Sequence, residues 1–335
     1  MSPLFGRQRE EGKTVLILDV ESGGVGACLA RLSPHEPPKI FGEVRKHLPL
    51  QATHDTDALT KLILQAAEGA LAHTAHVAAR VRGHHALASA GTIDSAAVFL
   101  SPPWGALSIT GRELEPHPFT RRIESSVESY FGPLTVTVEP FGLMAAHTTP
   151  ILLPSEDHYL LSVVSGEVTE LILLENVGSH LHIAGHATLP MGRHYPLRTL
   201  ISHGGLSETE ARSVLGLYAR GHEPPHALEA MHAASIHLAS EFGSLAGELF
   251  KFVPARRVVV VSQEPAGEWF ARSLAKSPEL EHLFPEAGEV RAVRASHALP
   301  FVGMHSSRPD LPLLLEVLFV NTRLPKGQAR FMSSV

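Results

Sequence analysis

TVLILDVESGGVGACLARL, residues 14–32, contains the pattern on which the fold prediction rests. The runs on either side of 21-ESGG-24 are apolar and rich in β-branched residues, which favours two β-strands. The Gly23-Gly24 step gives the backbone freedom that a tight reversal requires and leaves amide N–H groups uncovered by side chains. We therefore expect a β-hairpin whose turn can hold a phosphate group.

A similar pattern opens the second half of the chain at residues 161–171, LSVVSGEVTEL. It predicts a strand over 159–164, a turn at Ser165-Gly166-Glu167, and a returning strand over 168–174. A third strand is expected around 181–188. A strand, a glycine turn and a returning strand thus occur twice, which indicates an internal duplication of topology.

The remaining elements follow from hydrophobic periodicity and from helix-stop residues. We expect helices over 57–80, 120–130, 195–203, 207–219, 226–252 and 267–275, and strands over 95–100, 134–138, 257–261 and, at the end, Leu311 to Asn321. The first lobe is expected to end near Pro154, giving two domains, 1–154 and 155–335. The pattern is typical of an α/β fold with two lobes.

Composition excludes several classes of protein. Hydrophobic residues make up 44% of the 335 residues and charged residues 19%, so the chain can bury a core. The net charge of −6, without a basic face, argues against nucleic-acid binding. No apolar run reaches the roughly 18 to 20 residues needed to cross a bilayer. A single cysteine, Cys28, fits a reducing cytoplasm.

The first hairpin resembles the first phosphate loop of the actin-like ATPase superfamily, since Asp19 ends its strand and small residues follow. The second hairpin lies where that superfamily carries a second loop, written D-x-G-G-G-T-T-D. When Thr169 and Glu170 are aligned to the final pair, Gly166 is retained and Val163 replaces the leading aspartate. A Rossmann loop fits less well, because Leu29 stands where the third glycine is required.

With Pro190-Met191-Gly192-Arg193 and the helix beginning at Ser207, the chain resembles the bacterial branch that contains the division protein FtsA and the type IV pilus assembly protein PilM. The resemblance spans about 15–275. It implies an actin-like (ribonuclease H-like) duplicated α/β fold with two lobes and a central cleft. It also implies a cytoplasmic scaffold or adaptor that recruits partners for pilus, secretion or division assembly at the inner membrane.

The resemblance further implies ATP and Mg²⁺ as cofactors, with Asp19 acting on the metal. Ser22, Gly23 and Gly24 would hold phosphate on one side, and Ser165, Gly166 and Thr169 on the other. Gln263 and Glu264 would border the adenosine. The partners implied are proteins, including a cytoplasmic peptide of a membrane protein and other copies of the chain, without nucleic acid and without direct membrane insertion.

Departures from the family pattern leave ATP binding open. Besides Val163, the helix positions of a nucleotide-gripping Glu-x-x-Lys hold Arg212 and Leu215, and the glycine-rich adenosine loop reads 262-SQEPAG-267. Side chains there would intrude on the nucleotide. We expect no efficient catalysis. One alternative is an active ATPase or small-molecule kinase, for which Asp157 is the nearest, poorly placed base. The other is a purely structural module with an empty, collapsed cleft, which the departures favour.

Histidines at 222 and 226 match H-E-x-x-H, but two prolines between them prevent the helix that a zinc site of this kind needs. Cys28 is expected to be a buried thiol.

Overall fold

The computed structural model describes residues 12–33, 36–50, 55–105, 118–154, 158–177, 180–251, 255–278, 289–304 and 309–323. Each lobe is built on a five-stranded sheet. The first sheet has the order β3-β2-β1-β4-β5 and the second β10-β9-β6-β7-β8. The strands of the first lobe are β1 (Lys13–Glu21), β2 (Gly24–Ser33), β3 (Glu36–His47), β4 (Ser95–Leu100) and β5 (Thr135–Pro140). Those of the second are β6 (Tyr159–Val164), β7 (Thr169–Val177), β8 (His180–Leu189), β9 (Arg257–Ser262) and β10 (Glu289–Ala292).

Helices cover these sheets and the space between the lobes. They are α1 (Thr56–Gly83), α2 (Pro118–Phe131), α3 (Phe141–Leu152), α4 (Tyr195–Ser202), α5 (Glu208–Ala219), α6 (Leu228–Phe250), α7 (Ala266–Ala275), α8 (Ala295–Ala298) and α9 (Leu311–Thr322). Short 3₁₀ segments occupy His85–Gly91, Pro225–Ala227 and Leu299–Phe301. The two-lobed α/β duplication predicted from the sequence is confirmed.

Strand β1 is buried on both faces, which explains its nearly continuous apolar run. Leu16 and Leu18 pack into the core of the first lobe. Ile17 points the other way, into a core that joins the lobes and includes Leu161 of β6 and Leu314 of α9. Because successive side chains of a strand alternate between faces, one strand can hold both cores together. This arrangement fixes the end of β1, and therefore Asp19, at the junction between the lobes.

The two hairpins are equivalent in register. In the first, Asp19 pairs with Gly26 and Val20 with Val25. In the second, Val163 pairs with Glu170 and Val164 with Thr169, directly before the turn. Val163 therefore occupies the position in the second lobe that Asp19 occupies in the first.

The structure differs from the sequence prediction in five of the described strands and α-helices. The segment Leu311–Thr322 is a helix, so the predicted final strand is wrong. It is buried on almost every side, and a uniformly apolar run carries no period that would separate a helix from a strand. Strands β3 and β10 and helices α3 and α8 were not predicted. Pro140 and Gly142 were interpreted as chain breaks, whereas Pro140 is the N-cap of α3 and Gly142 lies in its first turn.

No helix in the described part of the chain is long and apolar enough to cross a membrane. Asp157 and the C-terminal residues 324–335 lie outside the described residues.

Candidate functional site: the junction of the two hairpin turns

The two hairpin turns, one from each lobe, are in direct contact. Ser22 Oγ lies 3.2 Å from Ser165 Oγ, and the backbone amide of Glu167 donates to Ser22 Oγ at 2.8 Å. The backbones also meet, since a Cβ placed on Gly166 would lie 2.4 Å from the amide nitrogen of Gly23. Gly166 is therefore required by space, and a Cβ on Gly23 would lie 2.3 Å from Arg193 Nη2. We call this contact the turn junction.

An arginine from the second lobe crosses the turn junction. The amide of Arg193 donates to the carbonyl of Ser165 at 2.8 Å, which fixes the start of its side chain beside the second turn. Its Nη1 then donates to Glu21 Oε2 of the first lobe. The two side chains are only 9% and 5% exposed. This buried ion pair ties the lobes together.

A second buried arginine neutralises Asp19. Arg45 stands opposite Gly26 in the pairing of β2 with β3, and its Nη2 lies 2.5 Å from Asp19 Oδ2. The same nitrogen donates to Asp310 Oδ1 at 2.9 Å, and Nη1 lies 3.3 Å from Glu21 Oε1. A Cβ on residue 26 would lie 2.6 Å from Nη2, so the glycine makes room for the guanidinium.

Burial sets the protonation of this cluster. It raises the pKa of Asp19 to about 7, against the opposing charge of Arg45. Burial also raises the pKa of Glu316, a fully buried residue of α9, well above its ordinary value, and the neighbouring Asp19 adds to the shift. Two neighbouring buried carboxyl groups titrate together, because a charge on one disfavours a charge on the other. The Glu316 carboxyl group is therefore much harder to ionise than that of an exposed glutamate.

Glu167, the acidic residue of the second turn, pairs with side chains of its own lobe. Glu167 accepts from His194 Nδ1 at 2.9 Å and from Arg198 Nη2 at 2.6 Å. Burial opposes ionisation of Glu167, but the hydrogen bonds from His194 and Arg198 lower its pKa to about 2. Glu167 is therefore a carboxylate at every physiological pH.

The structure brings together five of the residues predicted to hold nucleotide or metal. Asp19, Ser22, Gly23, Ser165 and Gly166 all lie at the turn junction. They contact one another or protein side chains.

The other predicted residues lie around this centre. Thr169 Oγ1 donates to the carbonyl of Met191 at 2.6 Å, so it stabilises the second turn from within. Gly24 pairs with Glu21 at the end of the hairpin. The Gln263 amide, oriented with its oxygen toward Arg45, accepts from Nε at 2.6 Å.

Little space remains where phosphate groups would lie. The cavity between the turns, lined by Asp19, Glu21, Ser165 and Arg193 among others, measures about 10 Å³, the room of one water molecule. Ligand sites for molecules of nucleotide size occupy about 300–1,000 Å³. No group of three or more His, Cys, Asp or Glu side chains in the described residues could hold a metal ion. The closed turns therefore leave no room for the phosphate groups of ATP.

A separate cavity of about 240 Å³ lies beside the turn junction. It is lined by Gly23, Gln263 and Glu264, which were predicted to contact nucleotide, and by Arg212 and Leu215, the residues at the Glu-x-x-Lys positions. We call it the side cavity. The positions that the resemblance assigned to the adenosine are therefore neighbours in space.

Sequence reasoning missed the groups that occupy the turn junction. Arg45 lies on the unpredicted strand β3, Glu316 belongs to the segment interpreted as a strand, and Asp310 is the N-cap of the helix that this segment forms. One signal was present, because Gly26 is a glycine within a strand, which often marks the close approach of another group.

No protein-family model matches the chain, and no curated protein matches its sequence. Several solved structures match the fold of the chain. A chain of the PilM-PilN type IV pilus biogenesis complex is 14% identical, with a TM-score of 0.55 over 94% of this chain and 98% of that chain. The ethanolamine utilization protein EutJ from Carboxydothermus hydrogenoformans is 16% identical over 91% and 88% of the two chains, at a TM-score of 0.48. An exopolyphosphatase from Cytophaga hutchinsonii is 12% identical over 95% and 91%, at a TM-score of 0.44.

At these identities the likeness concerns the fold alone, and only the PilM-PilN structure exceeds a TM-score of 0.5 among those three. It matches nearly the whole of both chains, so the resemblance expected from the two hairpins is confirmed at the level of architecture. The chain therefore has the actin-like fold, which it shares with the PilM-PilN structure.

Proposed function

We propose that the chain is an actin-like scaffold of the PilM kind, which recruits protein partners without hydrolysing ATP. The observation that carries this proposal is the turn junction. Where an actin-like ATPase would hold Mg²⁺ and phosphate groups between its lobes, this chain holds Arg45 and Arg193. Its lobes are closed by the protein's own cations.

Charge and space both support this role. A magnesium ion acting through Asp19 would face the guanidinium of Arg45, which is already 2.5 Å from the carboxylate. Two cations next to the same buried carboxylate repel each other strongly. Phosphate groups would have to displace the contacts between Ser22, Ser165 and Glu167.

The partner is proposed to be a cytoplasmic peptide of a membrane protein, which would place the chain at the inner face of the membrane in pilus or secretion assembly. Support comes from the fold shared with a chain of the PilM-PilN complex. Self-association and a role in division are less favoured forms of the same scaffold function.

The alternative is an ATP-dependent enzyme, either an ATPase or a small-molecule kinase. One observation favours it: Gln263, Glu264, Arg212 and Leu215 line a single cavity, as residues around an adenosine would. This alternative requires the turn junction to open far enough to admit the phosphate groups.

A genetic replacement separates the two proposals. The gene is deleted in the cell that encodes the chain, and pilus assembly and secretion are measured after return of either the wild type or Asp19→Asn. A scaffold whose lobes are held together by Arg45 and Arg193 keeps its function with Asp19→Asn, because the amide oxygen still accepts from Arg45. Circular dichroism checks that the variant is folded. An ATP-dependent enzyme loses function when its metal-linked aspartate is removed. A deletion with no effect on either process would contradict the proposed role.

A further inference from the structure

Strand β8 is an edge strand that lacks the features by which proteins protect a free edge. An edge strand presents unpaired backbone N–H and C=O groups, which can pair with another chain. Natural edges are usually short, charged, interrupted by proline or covered. Strand β8 is ten residues long and contains no Asp, Glu, Lys, Arg or Pro. Among the described strands it pairs only with β7.

The other three edges of the two sheets are protected. Strand β3 contains two prolines and several charged residues, and Gly303 bonds to its backbone at Pro38 and Ile40. Strand β5 has only six residues and ends with a proline. Strand β10 has four residues, of which two are charged. Among the described strands, β8 is therefore the one edge that is long and has neither proline nor charge.

The backbone bonds of the second hairpin show which groups of β8 face outward. The amide of Ser165 donates to the carbonyl of Val168, so these residues form a hydrogen-bonded pair at the turn. Because such pairs alternate along antiparallel strands, residues 169, 171 and 173 of β7 bond to β8, where their partners are residues 189, 187 and 185. The backbone groups of His186 and Thr188 consequently point away from the sheet, and no described residue bonds to them.

This outer edge is accessible and regular over five residues. Thr188 is exposed, and residues 185–187 are half-buried. Ala184 has no partner in β7, since Leu173 pairs with Gly185 and Leu174 with Ile183, so it forms a bulge. The regular part of the edge is therefore residues 185–189.

We propose that residues 185–189 of β8 pair with the same residues of a second copy of the chain, antiparallel, about a two-fold axis that passes beside Ala187. In this register His186 of each copy lies opposite Thr188 of the other. Their outward N–H and C=O groups then form four hydrogen bonds across the contact. The two Ala187 side chains meet at the axis, where their small size lets the strands approach. The sheets of the two second lobes become one sheet of ten strands.

The chemistry of this edge favours a second copy as its partner. Strand β8 contains no carboxylate, ammonium or guanidinium group, so two copies meet without the repulsion that charged edges produce. A two-fold axis uses the same surface twice, so the contact closes at a dimer. Such a contact is smaller than a standard interface of about 1,200–2,000 Å², and we expect a dissociation constant in the micromolar range. The dimer is independent of the proposed scaffold function.

Sedimentation velocity of the full chain, from low to high micromolar concentration, tests the proposal. We expect the sedimentation coefficient to rise with concentration toward that of a dimer. Thr188→Pro should weaken dimerisation by at least about tenfold, because each copy loses an N–H donor that only the second copy uses. Proline fits an edge strand where its missing N–H faces outward, so the pairing with β7 is kept. Thr188→Val is the matched control, which keeps this N–H and should dimerise as the wild type does.

A cysteine on the axis tests the register separately. Residues directly opposite in a non-hydrogen-bonded antiparallel pair have Cα atoms about 4.5 Å apart, within the range that a disulfide spans. Ala187→Cys should therefore form a disulfide-linked dimer in oxidised glutathione. The wild type should not, because its single cysteine, Cys28, is buried.

Three results would overturn the proposal. They are a wild-type chain that stays monomeric throughout the concentration range, wild-type dimerisation by Thr188→Pro that circular dichroism shows to be folded, and the absence of a disulfide-linked dimer in folded Ala187→Cys.

Discussion

The two hairpins have the same register, but their acidic residues lie on different strands and pair with different cations. Asp19 and Gly26 face each other in the first hairpin, and Val163 and Glu170 take the same positions in the second. The acidic residue thus lies on the first strand of the first hairpin and on the second strand of the second hairpin. In the first hairpin the glycine leaves room for Arg45, whereas in the second Glu170 pairs with His186 at 2.8 Å.

The difference shows which turn holds the lobes together. The carboxylates of the first turn pair with cations that come from elsewhere, Arg45 from the neighbouring strand and Arg193 from the other lobe. Glu167 in the second turn pairs with His194 and Arg198 of its own lobe. Disturbing the first turn should therefore open and destabilise the molecule more than disturbing the second.

Removal of Arg45 should have the largest effect. Arg45→Met would leave Asp19, Glu21 and Asp310 without their shared cation, and removing one partner of a buried ion pair costs about 3–5 kcal/mol. Denaturation with guanidinium chloride measures the loss. The matched control is Arg212→Met, whose pair with Glu208 is about half exposed and should contribute less than about 1 kcal/mol. A loss below about 1 kcal/mol for Arg45→Met would contradict a structural role for this cation.

Forcing the turns apart should have the next largest effect. In Gly166→Ala the new Cβ would meet the backbone of Gly23 at 2.4 Å, and such overpacking costs about 1–3 kcal/mol. Gly216→Ala is the control, since Gly216 lies within α5 with open space around it. Replacing a helical glycine by alanine should stabilise the protein by about 0.5–1 kcal/mol. If both variants had the same stability, the turns would not be in contact in solution.

The protonation of Asp19 should make the protein more stable in mildly acidic solution. Its pKa rises from 3.8 to about 7 on folding, so the folded state binds the proton more tightly and stability falls as pH rises through this interval. Between pH 6 and pH 8 the change is on the order of 1 kcal/mol. Denaturation midpoints across this range measure it, and Asp19→Asn should flatten the profile. An unchanged slope in the variant would assign the dependence to other groups.

Glu167 should give a pH effect of opposite sign to that of Asp19, confined to acid solution. Its pKa falls from 4.5 to about 2 on folding, so its contribution is present above pH 4.5 and is lost as pH falls from 4.5 toward 2. Glu167→Gln should therefore lose stability at neutral pH and show a shallower decline in acid. The same denaturation series measures this, and an acid limb as steep as that of the wild type would show that Glu167 is not the group that titrates.

The sequence predicted the hairpins because strong alternation between apolar strands and glycine turns is a local signal. The resemblance to the actin-like superfamily, and not the hairpin pattern, assigned Asp19, Ser22 and Gly166 to one site. The groups that change the site's chemistry could not be found in this way. Arg45 lies in a strand that begins with Glu36-Pro37-Pro38 and mixes charged and apolar residues, so it shows no clear period. Asp310 and Glu316 reach the site through a helix whose apolar run was interpreted as a strand. Their positions depend on tertiary packing, which no local pattern encodes.

Calorimetric titration with ATP, in the presence and absence of Mg²⁺, tests most directly whether the lobes are closed by the protein's own cations. Closure by Arg45 and Arg193 predicts no saturable, magnesium-dependent binding at millimolar ATP. Saturable binding that requires Mg²⁺ and disappears in Asp19→Asn would show instead that the turns separate to hold a nucleotide, and it would contradict the closed scaffold.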